Sequence, residues 1–236
     1  MDLDNARILL IGGTGVLGGR LARRLGSAGA RLVITGRNAP RLAAVAQETP
    51  AEHRITLDLV DLVDLDAVAA AVDAAAERLG GLDALIVASG VAAFGSARTE
   101  SDVVIEELFA VNTFGPIAAV RAALRHFDKG GAVAVLTAIL ADRPTAGMAG
   151  YSASKAAISA YLTAIRRELR RDKITVLDAR LPHLETGLAD RSLAGDPPRM
   201  PPGHDVDEVL DLIVTGLKDG SSELVADPKD RTVTLR

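Results

Sequence analysis

Tyr151 and Lys155 stand at i and i+4 in the run Tyr151-Ser152-Ala153-Ser154-Lys155, at the head of a long helical segment. On a helix this spacing puts both side chains on one face, about one turn apart. A phenol titrates near about 10 and is a poor proton carrier at neutral pH. A nearby ammonium favours the phenolate and is expected to bring it toward the working range, where general acid–base catalysis is most effective. Taken alone, such a pair is more often a half-buried tyrosine beside a solvated lysine, so its meaning depends on the elements that position it.

Those elements alternate. Arg7–Ile11 is a short apolar run that ends in Gly12-Gly13-Thr14-Gly15-Val16-Leu17-Gly18-Gly19, and a helical pattern with Leu17, Leu21 and Leu25 on one face comes next. Strand, glycine turn and helix together suit a dinucleotide: the glycines bring the backbone close to a pyrophosphate, and the helix N-terminus offers N–H groups and partial positive charge. Gly12, Thr14, Gly15, Val16 and Leu17 are the candidates for this contact. A second strand, Arg31–Thr35, runs into Gly36-Arg37-Asn38. An NAD site usually places an acid at this strand end for the ribose hydroxyl. Gly36 leaves room instead, and the Arg37 guanidinium can pair with a 2′-phosphate, so NADP(H) is expected over NAD(H). The other reading of Arg37 is a surface residue opening the 40–47 helix.

Ile55–Leu57 reads as the third strand and Asp58 ends it, with Asp58 and Leu59 as candidates for cofactor contact. Asp58 either accepts from an adenine amino group or caps the helix that begins near Asp61 or Asp64. That helix runs through 67–79 to a stop at Gly80-Gly81. Leu82–Ala88 is a buried strand whose closing turn, Ala88-Ser89-Gly90, should lie beside a cofactor, since ligands gather at the carboxyl ends of parallel strands. Helices are expected over 100–111 and 113–127 with Asn112 between them, a fifth strand over 133–136 ending in Thr137 and Ala138, and the helix from Tyr151 to about Arg171. A sixth strand (174–177), a proline-rich stretch over 181–203, a helix over 205–217 and a strand over 223–226 complete the chain. The strand–helix alternation implies an α/β fold: one doubly wound, Rossmann-type parallel sheet of about seven strands, helices on both faces, with residues 1–236 forming one domain and 181–203 a lid or binding loop.

Composition sets outer limits. The 236 residues, 48% hydrophobic, suffice for one sizeable core, and the net charge of −4 argues against a polyanion partner. The cations Arg166, Arg167, Arg170, Arg171 and Lys173 suit the C-terminal end of their helix better than a nucleic acid. There is no cysteine, hence no thiol nucleophile, disulfide frame or cysteine metal site. Nothing in the pattern calls for a metal. The acidic N-terminus runs straight into a strand, and the apolar runs 84–94 and 132–141 are far short of a membrane span of about 20 residues. A soluble cytoplasmic protein without nucleic-acid or membrane partners is expected.

In this order the motifs resemble the short-chain dehydrogenase/reductase family over nearly the whole chain. The glycine turn, Gly36-Arg37, Asp58, Val87-Ala88-Ser89-Gly90, Asn112, Tyr151/Lys155 and Leu181-Pro182-His183-Leu184-Glu185-Thr186 arrive in register with the family's own motifs. The resemblance implies that Tyr151 protonates a carbonyl oxygen in reduction, or takes the proton in reverse. It implies that Lys155 lowers the phenol's pKa and binds the nicotinamide ribose, and that Asn112 holds a water that relays protons to Lys155. Gly90 and Ala88 would contact the cofactor, which itself supplies the hydride. It also implies a homodimer or homotetramer, paired through the helices that come after Asn112 and begin at Tyr151.

The departures from the family pattern carry information too. The serine that relatives place thirteen residues before the tyrosine is Ala138 here, with Pro144 where many relatives have a proline. Thr137 has a hydroxyl, but adjacent strand residues face opposite ways, so it can substitute only where the strand end twists. Loss of such a donor costs on the order of 10²–10³ in rate. Val87-Ala88 replaces two asparagines, and His183 comes after Pro182 where a glycine is usual; an exposed loop histidine is its simpler reading. The leading expectation is an NADP(H)-dependent oxidoreductase that interconverts a carbonyl and an alcohol on a small, apolar substrate. A regulatory or catalytically impaired NADP(H)-binding homologue is the alternative, with redox-neutral epimerisation or dehydration behind it.

Overall fold

The computed structural model describes residues 1–50, 54–58 and 61–236; of 54–58 and 128–129 it describes the backbone alone. The strands are β1 (Arg7–Ile11), β2 (Arg31–Gly36), β3 (Arg54–Asp58), β4 (Leu82–Val87), β5 (Phe127–Ala138), β6 (Thr175–Leu181), β7 (Glu223–Ala226) and β8 (Val233–Leu235). The helices are α1 (Val16–Ser27), α2 (Ala39–Glu48), α3 (Leu65–Leu79), α4 (Asp102–Phe109), α5 (Gly115–Ala123), α6 (Ala149–Glu168) and α7 (Val206–Asp219). The sheet order is β3-β2-β1-β4-β5-β6-β7-β8, parallel throughout except for β8, which pairs antiparallel with β7. The expected doubly wound sheet is therefore present, with an additional short antiparallel strand at one edge.

Both faces of the sheet are covered, as a parallel sheet requires. Alternation along the strands divides the core: Leu9, Leu85, Val133 and Val135 pack with α3, α5 and α6, while Ile8, Ile34, Ala134 and Leu177 pack with α1 and α7. The chain moves outward from β1 to β3, then jumps back beside β1 to lay down β4. The carboxyl ends of β1 and β4 thus flank the crevice where ligands of such sheets bind.

Local signals explain most boundaries. Asp64 caps α3 by accepting from the Ala67 N–H at 2.9 Å, and Gly80 ends it at φ 74. Asp205 caps α7 through the N–H groups of Asp207 and Glu208. Between α4 and α5, residues Ala110–Phe114 form one wide π turn rather than a break, and Asn112 lies within it. Phe127, expected at a helix end, instead opens β5, since α5 stops at Ala123. β6 runs on to Leu181, four residues beyond the expected end. The run Asp102–Ala123 is long and apolar enough to cross a membrane by length and composition. It packs against α3 and α6, which accounts for its apolar face.

Candidate active site

Two tight turns build the crevice. Gly12 has φ +89, a conformation open to glycine, and a Cβ there would stand 2.8 Å from the Ser89 nitrogen. A Cβ at Gly18 would overlap the Gly12 carbonyl, so only glycine lets α1 start this close to β1. Gly15 precedes α1 without a side-chain cap, and the first turn holds no acid. The positive end of α1 is thus left for an external anion. Thr14 packs where a Gly36 side chain would go: a Cβ at Gly36 would stand 2.5 Å from Thr14 Cγ2. Steric fit therefore dictates the glycine at the end of β2. Arg37 comes next on the surface, 3.8 Å from Asp61. These residues fit a dinucleotide.

A cavity of about 610 Å³ runs from Gly15, Val16 and Leu17 past Ala88, Ser89 and Gly90 to Tyr151 and Lys155. Its far half is walled by apolar groups, among them Phe94, Ala138, Leu140, Met148, Leu188 and Met200. Three loops frame that half and are stitched together. Phe94 N–H donates to the Ala194 carbonyl at 2.9 Å, Leu193 N–H to Ala92 at 2.8 Å, and Gly95 N–H to Gly147 at 2.9 Å. The stretch over 181–203 is therefore docked along one wall of the cavity, with Arg231 donating to the Pro202 and Gly203 carbonyls at its base. His183 and Thr186 lie on this wall as well.

Tyr151 sits in the first turn of α6 and Lys155 one turn on, 7% and 4% exposed. The Lys155 Nζ stands 6.0 Å from the Tyr151 ring centroid and donates to the Leu136 carbonyl at 3.2 Å. Burial pushes the phenol up to about 12. Burial pushes the ammonium down to about 8, against the field of Asp178, which raises it. The phenol is thus held in its proton-bearing form, whereas the sequence pattern led one to expect a phenol lowered by its neighbour. At this separation desolvation outweighs the ammonium's attraction.

Asn112 is 1% exposed, and its amide is nearly spent. Nδ2 donates to the Val91 carbonyl at 2.9 Å and to Ser154 Oγ at 3.1 Å, while Oδ1 accepts from Val91 N–H at 3.0 Å. The residue clamps the loop after β4 to α6. Across Gly90, Asn112 Oδ1 and Lys155 Nζ face one small space: a Cβ on Gly90 would stand 3.2 Å from each.

Ala138 ends β5 on the cavity wall, 5% exposed. Thr137 reaches the cavity too, but its hydroxyl donates to the carboxylate of Asp178. The strand end does not turn that hydroxyl free, so Thr137 does not stand in for the serine of relatives.

The structure thus brings together Gly15, Val16, Leu17, Ala88, Gly90, Tyr151 and Lys155 along one cavity, with Asn112 beneath it. Gly12 and Thr14 shape the turn from behind, and Arg37 stands outside on the surface. Of Asp58, only the backbone at the end of β3, opposite Gly36, is described; Leu59 lies outside the described residues. The capping role considered for Asp58 belongs to Asp64. Sequence reasoning set Ser89 in the turn beside the cofactor without singling it out, and missed Asp178. Asp178 fell one residue past the expected end of the sixth strand, which the structure extends to Leu181.

Comparison with known proteins agrees with this geometry. A family model described as short chain dehydrogenase matches residues 6–196. Dehydrogenase/reductase SDR family member 7B of Bos taurus is 30% identical over 201 residues, which cover 81% of this chain and 62% of that protein. The chain therefore spans less than two thirds of that relative's length. The cyclic-di-GMP-binding biofilm dispersal mediator protein of Escherichia coli (strain K12) is 33% identical over 171 residues, 72% of this chain and 69% of that protein. Among solved structures, a short chain dehydrogenase from Burkholderia cenocepacia J2315 in complex with NADP superposes with a TM-score of 0.79 at 30% identity, covering 92% of each chain. A dehydrogenase/reductase from Sinorhizobium meliloti 1021 gives 0.81 at 25% identity, covering 99% of this chain and 93% of its own. The chain belongs to the short-chain dehydrogenase family of oxidoreductases, which use a nicotinamide cofactor.

Proposed function

We propose that the protein is an NADP(H)-dependent reductase of an apolar carbonyl compound, with Tyr151 as the proton donor. The observation that carries this reading is the buried Tyr151/Lys155 pair at the junction of a glycine-lined channel and an apolar cavity. When bound, the nicotinamide supplies the hydride. The protein's own part is to place and charge the groups around it. Tyr151 keeps its proton through neutral pH and can give it to the oxygen that gains negative charge as the carbonyl is reduced. Lys155, protonated below about pH 8, stabilises that phenol as it ionises and is placed to hold the ribose. The space over Gly90 between Asn112 Oδ1 and Lys155 Nζ suits a water that returns a proton to Lys155. Phe94, Met148, Leu140 and Met200 exclude solvent and favour an apolar substrate.

NADP(H) is favoured over NAD(H) because Gly36 leaves no acid at the ribose and Arg37 comes directly after it, and a structural neighbour was solved with NADP. We further propose a cytoplasmic homodimer or homotetramer, its oligomeric state read by light scattering. The test of the main reading is NADPH consumption over a panel of apolar aldehydes and ketones. Turnover by the wild type, lost in Tyr151→Phe while NADPH still binds, is the expected result. Turnover that persists in Tyr151→Phe would overturn the role given to the phenol.

One observation favours a second reading. Ala138 lacks the serine hydroxyl, and Thr137 donates its own to Asp178. A family member that binds NADP(H) and signals its occupancy, without efficient turnover, would show tight NADPH binding and no consumption with any carbonyl. A relative named for ligand binding rather than for catalysis is compatible with that course.

A further inference from the structure

Asp178 lies mid-strand in β6 and is fully buried. A carboxylate there is costly unless it is paired and hydrogen-bonded. Both oxygens are occupied. Oδ1 accepts from the Thr137 hydroxyl, and Oδ2 accepts from Arg180 Nε at 2.8 Å. Arg180, two residues on and so on the same face of the strand, also donates to Asp142 at 2.8 Å and Glu223 at 3.0 Å. Glu223 in turn lies 3.5 Å from Arg166 of α6. Two guanidinium groups face three carboxylates, which leaves one negative charge in the cluster.

Joining β6 to β7 does not require that charge. Arg180 already reaches Glu223 of β7 and Asp142 beyond β5 without Asp178. What Asp178 adds lies on the other side. Its hold on Thr137 fixes the end of β5 next to the Leu136 carbonyl on which Lys155 is anchored. Its field acts on the ammonium directly. The Tyr151 phenol on its own helix, the Asn112 amide from the wide turn and Gly90 from the loop after β4 also face Lys155 and carry no charge. Arg180, the cation in contact with Asp178, is shared among three carboxylates.

We propose, resting on the role given to Lys155 above, that Asp178 is the positioning residue of this site: it holds the β5 end through Thr137 and keeps the Lys155 ammonium charged inside the fold. It touches neither the cofactor channel nor the apolar cavity, so it acts through Lys155 and not on a substrate.

The test reads Lys155 itself. The chain holds five lysines, so protein labelled with 13C,15N-lysine gives few signals, and that of Lys155 is identified by its loss in Lys155→Arg. In Asp178→Asn, the Lys155 midpoint is expected to fall by roughly one pH unit or more, as for loss of an opposite charge nearby. An unchanged midpoint, with wild-type circular dichroism, would overturn the proposal and leave Asp178 a strand-joining residue. If Asp178→Asn does not fold, the near-isosteric Thr137→Val serves. It removes the hold on the β5 end while Asp178 stays in place, so the Lys155 signal should move from its wild-type position; an unchanged signal would show that Lys155 does not depend on that hold, and would also overturn the proposal. No substrate or cofactor enters this readout. A protein that consumes no NADPH would therefore sink the reductase reading without changing the Lys155 result.

Discussion

Glu100 lies against the N-terminus of α6, the helix that carries Tyr151: the Gly150 N–H donates to its Oε2 at 3.3 Å, one residue before Tyr151. α6 has no side-chain cap from its own N-cap residue, Met148. A carboxylate from another loop therefore stands where an acid complements the helix dipole. A Cβ at Gly150 would stand 2.5 Å from Glu100 Oε1. Gly150→Ala is thus expected to be neutral or destabilising in the wild type, because it displaces the carboxylate. In a Glu100→Ala background the same change should stabilise by up to about 1 kcal/mol, the ordinary gain of alanine over glycine in a helix. Urea unfolding of the four proteins of this double-mutant cycle checks it; additive effects would contradict the contact.

Ala138→Ser restores a hydroxyl to the cavity wall. For any carbonyl that the wild type reduces, kcat should rise on the order of 10²–10³ if no other group fills this role. A rise below about threefold would show that another donor already meets the substrate oxygen. Thr137→Ser, which keeps the donation to Asp178, should leave kcat near the wild-type value.

The end of β2 should resist conversion to NADH use. Gly36→Asp places a side chain on Thr14, so both NADPH and NADH are expected to bind more weakly rather than exchange preference. Arg37→Ala should weaken NADPH by about 10- to 100-fold, the usual worth of a charge-assisted hydrogen bond, and leave NADH within a few fold. Cofactor fluorescence titrations decide it, and equal losses for the two cofactors would remove Arg37 from the 2′-phosphate.

Lys155 makes stability depend on pH in a predictable direction. Its pKa is about 8 in the fold against the ordinary 10.5 of an unfolded chain. Between those values the unfolded chain holds a proton that the folded protein has released, so stability rises with pH across that window. The contribution from this group is of order 3 kcal/mol. Tyr151 runs the other way: held near 12 rather than 10, it keeps its proton after the unfolded chain has lost one, and stability falls from pH 10 upward. Lys155→Met is expected to be more stable than wild type at pH 7, and the advantage should shrink by pH 10. Urea melts at the two pH values check this; parallel curves would mean that the ammonium is solvated.

Much of this was open to reading in the chain itself. The glycine turn, the alternation of elements and the Tyr151/Lys155 pair are local patterns, and local patterns survive folding. The features that escaped depend on partners far apart or on backbone geometry without a sequence code. Thr137 and Asp178 are 41 residues apart, Glu100 and Gly150 50 apart, and nothing in either stretch names the other. The β8 strand is three residues long and pairs antiparallel after a turn, so its alternation is too brief to register. Phe127 continued an apolar helical pattern but pairs with Leu82 in the sheet. The phenol's high pKa comes from how deeply α6 is packed, which spacing cannot report.

The wide turn over Ala110–Phe114 has a consequence for helical phase. An α-helix advances about 100° per residue, so a turn that takes in one extra residue sets the helix after it out of step with the helix before it. α4, the wide turn and α5 therefore form one continuous helical run from Asp102 to Ala123, with the phase of the apolar positions shifted at the turn. Ala119, Val120 and Ala123 of α5 are buried against the core, while Asn112, inside the turn, still meets Val91 and Ser154. Removal of a single residue from this turn would restore an even winding, and with it force a choice: either the α5 stripe keeps its bed or the Asn112 amide keeps its clamp, but not both.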